Sequence, residues 1–179
     1  MLFVTQCGYL WKVVAKFGMS KSKAVQTPLT AHFKLSTGMS PKNEEEMKSV
    51  ENIPYASAIG SLMYAMVCTR PDLAYSASLV SRFMSNLGRG HWEAVKWILR
   101  YVKGALNVGL LYKRCEGSCA KLMGYVDTDY AGDLDKRRSL IGYVFTLFGC
   151  TMSWKAQLQP VVALSTMEAE YIAATEGIK

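Results

Sequence analysis

The residues best suited to chemistry are acidic side chains in two short stretches. The first, GYVDTDYAGD, places Asp127, Asp129 and Asp133 within seven positions. Like charges crowded on a short segment repel one another, so such a cluster is either solvated by water or neutralised by a bound cation. In an extended strand alternate residues share a face, so Asp127 and Asp129 are expected on the same side. The residues alone leave both explanations open.

The second stretch, STMEAEY, contains Ser165, Glu168 and Glu170. Ser165 followed three positions later by Glu168 predicts a capping box at a helix start, which gives Glu168 a structural task. Glu170 lies about 200° further round the helix and is available for chemistry. A strand carboxylate beside a helix carboxylate suits hard divalent cations, and two such ions can support phosphodiester hydrolysis. Clustered surface acids are also common, so a metal site is one of two interpretations.

Basic residues form two candidate contacts for nucleic acid. The chain has 21 Lys and Arg against 14 Asp and Glu, a net charge of +7 that favours polyanionic partners. In HWEAVKWILRYVKG the cations Lys96, Arg100 and Lys103 fall, together with Glu93, within a narrow arc of about 80° on an otherwise apolar helix. This stripe predicts either phosphate contacts or a simple solvated face. The second candidate is the basic pair Arg137 and Arg138.

The hydrophobic pattern predicts an α+β fold that must position these groups. An amphipathic helix is expected over residues 1 to about 20, then an extended polar connector to Pro54. Three packed helices follow, the last ending at Gly104, and their aromatic residues are expected mainly in the core. Period-two, β-branched segments then predict four strands with a tight turn near Gly149, and a final helix runs to the end of the sequence.

Composition restricts the class of protein further. Half of the residues are hydrophobic, which is enough for a folded core, and no apolar run is long enough to cross a bilayer. The number of cysteines is odd and no signal peptide is evident, so a reduced, intracellular protein without a membrane partner is expected. Cys115 and Cys119 lack the second close pair that a zinc site needs. The five are Cys7, Cys68, Cys115, Cys119 and Cys150.

Long blocks of the sequence closely resemble the Pol polyprotein of copia-type retrotransposons, from the end of reverse transcriptase into ribonuclease H. These blocks are PYASAIGSLMYAMVCTRPDLAYSASLVSRFMSN, HWEAVKWILRYVKG, GYVDTDYAGD, RSLIGYVF and SWKAQLQPVVALSTMEAEYIAATE. The resemblance covers almost the whole chain. It implies the end of reverse transcriptase with an extended connector over 1–54, a helical connection segment over 55–105, and a truncated ribonuclease H-like domain with a partial mixed sheet over 106–179.

The resemblance also implies an activity. Such a domain uses two Mg²⁺ ions to cut the RNA strand of an RNA–DNA hybrid, with the remainder of the Pol polyprotein as a further partner. By position, Asp127 corresponds to the first catalytic aspartate and Glu170 to the catalytic glutamate, both metal ligands. Asp129 is expected to be a solvated residue or a nearby helper, and the remaining acids of the stretch are expected to be loop residues screened by water.

Departures from the family pattern limit that expectation. The family's further acidic ligands come from later segments, expected beyond Lys179, so this chain alone is expected to be inactive. The YVDT sequence ending at Thr128 resembles the Tyr-x-Asp-Asp hairpin of polymerases, but Thr128 replaces the second aspartate. A polymerase site is therefore rejected. The alternative to an enzyme fragment is a non-catalytic nucleic-acid-binding protein or a decayed retroelement remnant.

Overall fold

The computed structural model describes residues 1–113 and 121–179. They form two compact units: a helical unit, Thr5–Val108, and a sheet unit made of Met1–Val4 and Gly109–Lys179. The cysteine pair of the CEGSC motif lies outside the described residues. The predicted α+β class is confirmed, whereas the three predicted segments, 1–54, 55–105 and 106–179, stay predictions.

The helical unit contains five α-helices and a long irregular connector between the first two. They are α1 (Cys7–Lys16), α2 (Glu44–Val50), α3 (Tyr55–Cys68), α4 (Ala74–Ser81) and α5 (Arg89–Gly104). The prediction of one helix over residues 1–20 is wrong at its start, because Leu2–Thr5 forms strand β1. Its β-branched and aromatic residues favour that extended conformation.

One hydrophobic core unites these helices. It includes α1 residues at helical spacing, such as Leu10 and Val14, packed with Ile59 of α3 and Ile98 of α5, all fully buried. Trp92 of α5 packs partly buried against this core, as does Tyr101, which confirms that these aromatic residues are structural. Burial of this apolar surface is the main contribution to the stability of the unit.

A buried ion pair ties α5 to the segment before α4. Arg70 is fully buried and donates from Nε and Nη2 to the carboxylate of Asp72, the shortest of these bonds being 2.7 Å. Its Nη1 donates to the carbonyl oxygen of Ala105, and the hydroxyl of Tyr101 donates to Asp72 at 2.7 Å. Burial, and after it the bond to Asp72, raises the pKa of Tyr101. The sequence pattern places Asp72 only at a helix start, whereas the structure makes it the counter-ion of a buried arginine.

The described residues of the sheet unit form two small sheets and one helix. Strand β1 pairs with β2 (Gly109–Tyr112), and β3 (Leu122–Thr128), β4 (Leu140–Leu147) and β5 (Cys150–Leu158) form an antiparallel sheet in that order. The predicted tight turn is confirmed at Gly149, whose φ of +73° favours glycine. The ribonuclease H-like, mixed character of the sheet stays a prediction.

Helix α6 (Thr166–Ile178) packs on β3 through small residues. Ala169, Ala173 and Gly177 are its buried positions. A Cβ at Gly177 would lie 2.8 Å from Cγ2 of Val126, so the helix approaches the strand closely and Val126 faces it. Among the described strands, β3 pairs only with β4, which leaves its other edge without a strand partner. No described helix combines the length and apolar character needed to cross a bilayer.

Candidate functional site

Asp127 occupies the penultimate position of β3, opposite Gly142 of β4. Successive side chains of a strand point to opposite faces, and Val126 faces α6, so Asp127 projects from the other face of β3. The side chain is exposed, and nowhere in residues 1–113 or 121–179 does its carboxylate find a hydrogen bond or an ion pair. The oxygens of Asp127 are therefore available to a ligand.

Glu170 lies in the second turn of α6, beside the stripe that packs on the sheet. On a helical wheel it is about 60° from the centre of the stripe formed by Ala169, Ala173 and Gly177. It is exposed, and the described part of the chain offers its carboxylate no hydrogen bond or ion pair. Like Asp127, it is an acid without a structural task.

The predicted capping of α6 is confirmed, with one difference. Ser165 Oγ accepts a hydrogen bond from the backbone N–H of Glu168 at 3.1 Å. The Glu168 carboxylate reaches back and accepts from the N–H of Leu164 at 2.7 Å, one residue earlier than in a standard capping box. The structure therefore gives Glu168 the structural task expected from the sequence.

Asp129 and Asp133 depart from the expectation of solvated acids. Asp129 Oδ1 accepts from the N–H of Leu140 at 2.5 Å, and a Cβ at Gly132 would lie only 2.0 Å from Asp129 Oδ2. Asp133 is only 5% exposed, and its Oδ1 accepts from the N–H of Asp135. Both side chains organise the loop between β3 and β4. The available signal was turn chemistry, since aspartates near glycine commonly bond neighbouring backbone groups.

The elements that carry Asp127 and Glu170 contact each other, but the described residues do not form a complete metal cluster. Tyr130, just after β3, donates its hydroxyl to the carbonyl oxygen of Leu164, and Gly177 contacts Val126, so α6 runs antiparallel to β3. Glu170 is about 10 Å back along the helix from Gly177, towards the end of the strand where Asp127 lies. Within the described chain, no group of three or more His, Cys, Asp or Glu could hold a metal ion.

The predicted basic stripe of α5, formed by Lys96, Arg100 and Lys103, has partners within the helical unit. Lys96 pairs with Glu93 one turn away, at 2.5 Å. Arg100 and Lys103 donate to backbone carbonyl oxygens of the connector, at 2.7 and 2.5 Å. Trp97 does the same through its indole N–H at 3.0 Å, and the Arg100 guanidinium lies over its ring. Along α5, Trp97, Arg100 and Lys103 thus bind the carbonyl oxygens of Thr27, Lys23 and Ser22.

This arrangement is a third role for the stripe, beside the phosphate contact and the solvated face expected from the sequence. Its donors hold the connector against α5, and the acceptors are 70, 77 and 81 positions away in the chain. A local pattern carries no information about such partners. The available signal was the long polar connector predicted before Pro54, because the backbone groups of an extended segment need partners from elsewhere.

Among the described residues, the side chains of Arg137 and Arg138 have no such partners. Arg137 is exposed and Arg138 is half-buried. Within the ranges that the structure covers, neither guanidinium makes a hydrogen bond or an ion pair. Arg137 also has a φ of +55°, in the left-handed region that favours glycine.

Comparison with known proteins identifies the relatives of this chain. It is 53% identical over 175 residues to the retrovirus-related Pol polyprotein from transposon TNT 1-94 of Nicotiana tabacum, and 35% identical over 170 residues to that from transposon RE1 of Arabidopsis thaliana. The matches cover 98% and 95% of this chain. The chain belongs to the copia-type retrovirus-related Pol polyproteins of transposons. The resemblance inferred from the sequence is thereby confirmed.

This Pol chain spans only a small part of those relatives, 13% of the TNT 1-94 polyprotein and 11% of the RE1 polyprotein. It is also 46% identical over 128 residues to the secreted RxLR effector protein 161 of Plasmopara viticola, a match that covers 72% of this chain and 89% of that protein. No protein-family model matches the chain, and no solved structure does so.

Proposed function

We propose that the sheet unit contributes Asp127 and Glu170 to a Mg²⁺-dependent, ribonuclease H-like site that cuts the RNA strand of RNA–DNA hybrids. One observation supports this most: the neighbouring acids are used by the fold and these two are not. Asp129 bonds Leu140, and Glu168 caps α6. Asp127 and Glu170 are exposed on elements that pack together, and no described residue bonds them.

The donor chemistry suits Mg²⁺, but the number of donors does not complete a site. Hard divalent cations prefer carboxylate oxygens, which both residues offer. Two carboxylates leave each ion short of ligands, and the described residues supply no third member. When bound, the ions would activate water and stabilise the leaving oxygen. We derive no catalytic step for this chain alone, and we propose that other parts of the Pol polyprotein supply the remaining ligands.

A chimeric polyprotein tests this function. This chain would replace the matching segment of the TNT 1-94 polyprotein, and cleavage of an RNA–DNA hybrid would be measured with Mg²⁺. We expect Asp127→Asn and Glu170→Gln each to reduce the rate by at least about 100-fold, since even groups that only orient metal ligands contribute 10–100-fold. Glu168→Gln, which alters the cap of α6, is the matched control and should retain activity. Equal rates for Glu170→Gln and the unmodified chimera would contradict the assignment.

The nucleic-acid contact is proposed to lie on Arg137 and Arg138. Lys96, Arg100 and Lys103 are weaker candidates, because each would have to give up a protein partner before it could bind a phosphate. The two arginines of the β3–β4 loop have no partner among the described residues. Arg137 is exposed and Arg138 is half-buried, in the loop that follows the strand that carries Asp127.

A second candidate function is a non-catalytic one, in which the chain is a retroelement remnant that binds nucleic acid. The match to RxLR effector protein 161 favours it, because a related sequence makes up most of that protein. Salt-sensitive binding of a hybrid, combined with no cleavage by the chimera, would support this alternative. In both cases we propose an intracellular location, consistent with the free thiols of Cys7, Cys68 and Cys150.

A further inference from the structure

The loop between β3 and β4 is held in one conformation by its own backbone. The N–H of Arg137 donates to the carbonyl oxygen of Asp133 at 2.8 Å, and the N–H of Asp133 donates to the carbonyl oxygen of Arg138 at 3.0 Å. Asp133 is buried, and its carboxylate accepts from the N–H of Asp135. These bonds close the turn on which Arg137 sits. The backbone around Arg137 is therefore set before any ligand arrives.

Arg137 stands where glycine would be more stable. Its φ of +55° brings Cβ close to its own backbone, and glycine usually occupies this position after a helical turn. An arginine side chain can compensate by bonding to the protein. The guanidinium of Arg137 forms no hydrogen bond or ion pair with any residue that the structure describes. The fold thus accepts this backbone strain without a side-chain contact to any described residue that would offset it.

The two other non-glycine residues with positive φ in the described part of the chain show how Arg137 differs. Ala131 has a φ of +54° and is buried, with its N–H bonded to Ser139 Oγ. Phe148 has a φ of +53° at the turn after β4, and its N–H donates to the carbonyl oxygen of Lys121. The backbone N–H of each is bonded, as that of Arg137 is, and both side chains are apolar. Arg137 instead presents a charge to solvent between Lys136 and Arg138.

The position of Arg137 in the fold indicates which ligand its guanidinium contacts. Its loop leaves β3 directly after Asp127 and Thr128, and Tyr130 in the same loop bonds Leu164 just before α6. The cation therefore lies at the end of the strand where the proposed substrate has to approach. A planar guanidinium matches a phosphate through two parallel hydrogen bonds.

We propose that Arg137 is a preorganised contact for a phosphate of the nucleic-acid backbone, retained in a strained conformation for that contact rather than for the fold. The proposal rests on the proposed nucleic-acid partner. Residues at functional sites are often held in sparsely populated backbone regions, where the strain fixes a group in its working position. Arg137 then strengthens the binding of nucleic acid and lowers the stability of the fold.

Hybrid binding and denaturant unfolding of the whole chain test this proposal together. Arg137→Gly should raise the denaturant midpoint and lower the slope of log K against log salt by about 1, because one phosphate contact and its released counterion are lost. Arg137→Asn tolerates the left-handed conformation but removes the charge, so it should lower the slope equally. Ala131→Gly relieves a similar φ without changing charge, and the slope should stay the same.

Lys136→Gln distinguishes a specific contact from diffuse charge, since it removes an exposed cation of the same loop at an ordinary φ. We expect a smaller decrease in slope than for Arg137→Asn. Equal decreases would overturn the proposal, as would an unchanged slope in Arg137→Gly or a wild-type chain that binds the hybrid independently of salt. Free inorganic phosphate should compete only at far higher concentration than the hybrid, and equal competition would also overturn it. The cleavage assay on Glu170→Gln is independent of these outcomes, so the proposed function can fail separately.

Discussion

Basic side chains have different tasks in the two units. In the helical unit, Arg100 and Lys103 bind backbone carbonyl oxygens of the connector, and Arg70 is buried against Asp72. In the sheet unit, Arg137 is exposed, Arg138 is half-buried, and neither side chain has a described protein partner. The difference shows that a row of cations on one helix face can hold another segment of the same unit in place. The two arginines of the loop are better candidates for binding a ligand.

Acidic residues differ in a similar way within the sheet unit itself. Asp129 and Glu168 each accept a backbone N–H, whereas Asp127 and Glu170, two positions away in each case, bond no described group. In each pair of acids two positions apart, one side chain therefore bonds the backbone and the other is left for a ligand. Substitutions that remove one charge at a time measure these differences.

The largest effect is expected for Asp72→Ala in the helical unit. It removes the carboxylate partner of the fully buried Arg70, and breaking such a pair leaves an uncompensated charge in the core. We expect the free energy of unfolding to fall by about 3–5 kcal/mol, measured by denaturant titration. The double variant Arg70→Met with Asp72→Leu removes both charges and should recover most of the loss. A loss below about 1 kcal/mol for Asp72→Ala would place Arg70 in a solvated setting instead.

The next largest effect on stability is expected at Asp129, and Asp127 in the same strand-and-loop segment is its comparison. Asp129→Ala leaves the N–H of Leu140 without its partner, so we expect a loss of about 1–3 kcal/mol in the free energy of unfolding. Asp127→Ala removes an exposed carboxylate without such a bond and should change stability by less than about 0.5 kcal/mol. The same denaturant titration serves both. Equal losses would mean that Asp127 also supports the fold.

A smaller loss of stability is expected when a cation of α5 loses its bond to the connector. Lys103→Met keeps most of the apolar stem but removes the bond to the connector, and we expect a loss of about 1 kcal/mol. The slope of hybrid binding against salt should not change. Lys136→Met in the sheet unit is the matched control and should leave stability unchanged. A lower salt slope for Lys103→Met would show that nucleic acid displaces the connector from this cation.

Local sequence patterns accounted for most elements of the fold. The turn at Gly149, the cap at Ser165 and the end of α5 at Gly104 are set by neighbours a few positions away, so residue types and spacing reveal them. The start of the chain was predicted wrongly because the pairing of Leu2–Thr5 with β2 is a long-range contact. A helical period in the residues that follow extended the predicted helix too far.

The candidate site was predictable only in part, for the same reason. The helical cap identified Glu168 as structural and left Glu170 available, which a local rule can do. The bond from Asp129 to Leu140 spans 11 positions, and that from Arg100 to Lys23 spans 77. Such bonds depend on the tertiary fold, so the sequence could not separate the solvated charges from those that hold a loop or a connector in place.

The central proposal is that Asp127 and Glu170 bind one divalent cation at the end of β3, because Asp127 leaves the strand on the face away from α6 and only at that end could a cation reach both carboxylates. Paramagnetic broadening by Mn²⁺ in the NMR spectrum of the intact chain tests it directly, because weak binding is enough to give a signal. We predict broadening of the amide signals at both residues, and Asp127→Asn should reduce it at Glu170 as well as at its own position. Broadening at Glu170 that is unaffected by Asp127→Asn, or no broadening at either residue, would contradict the shared site.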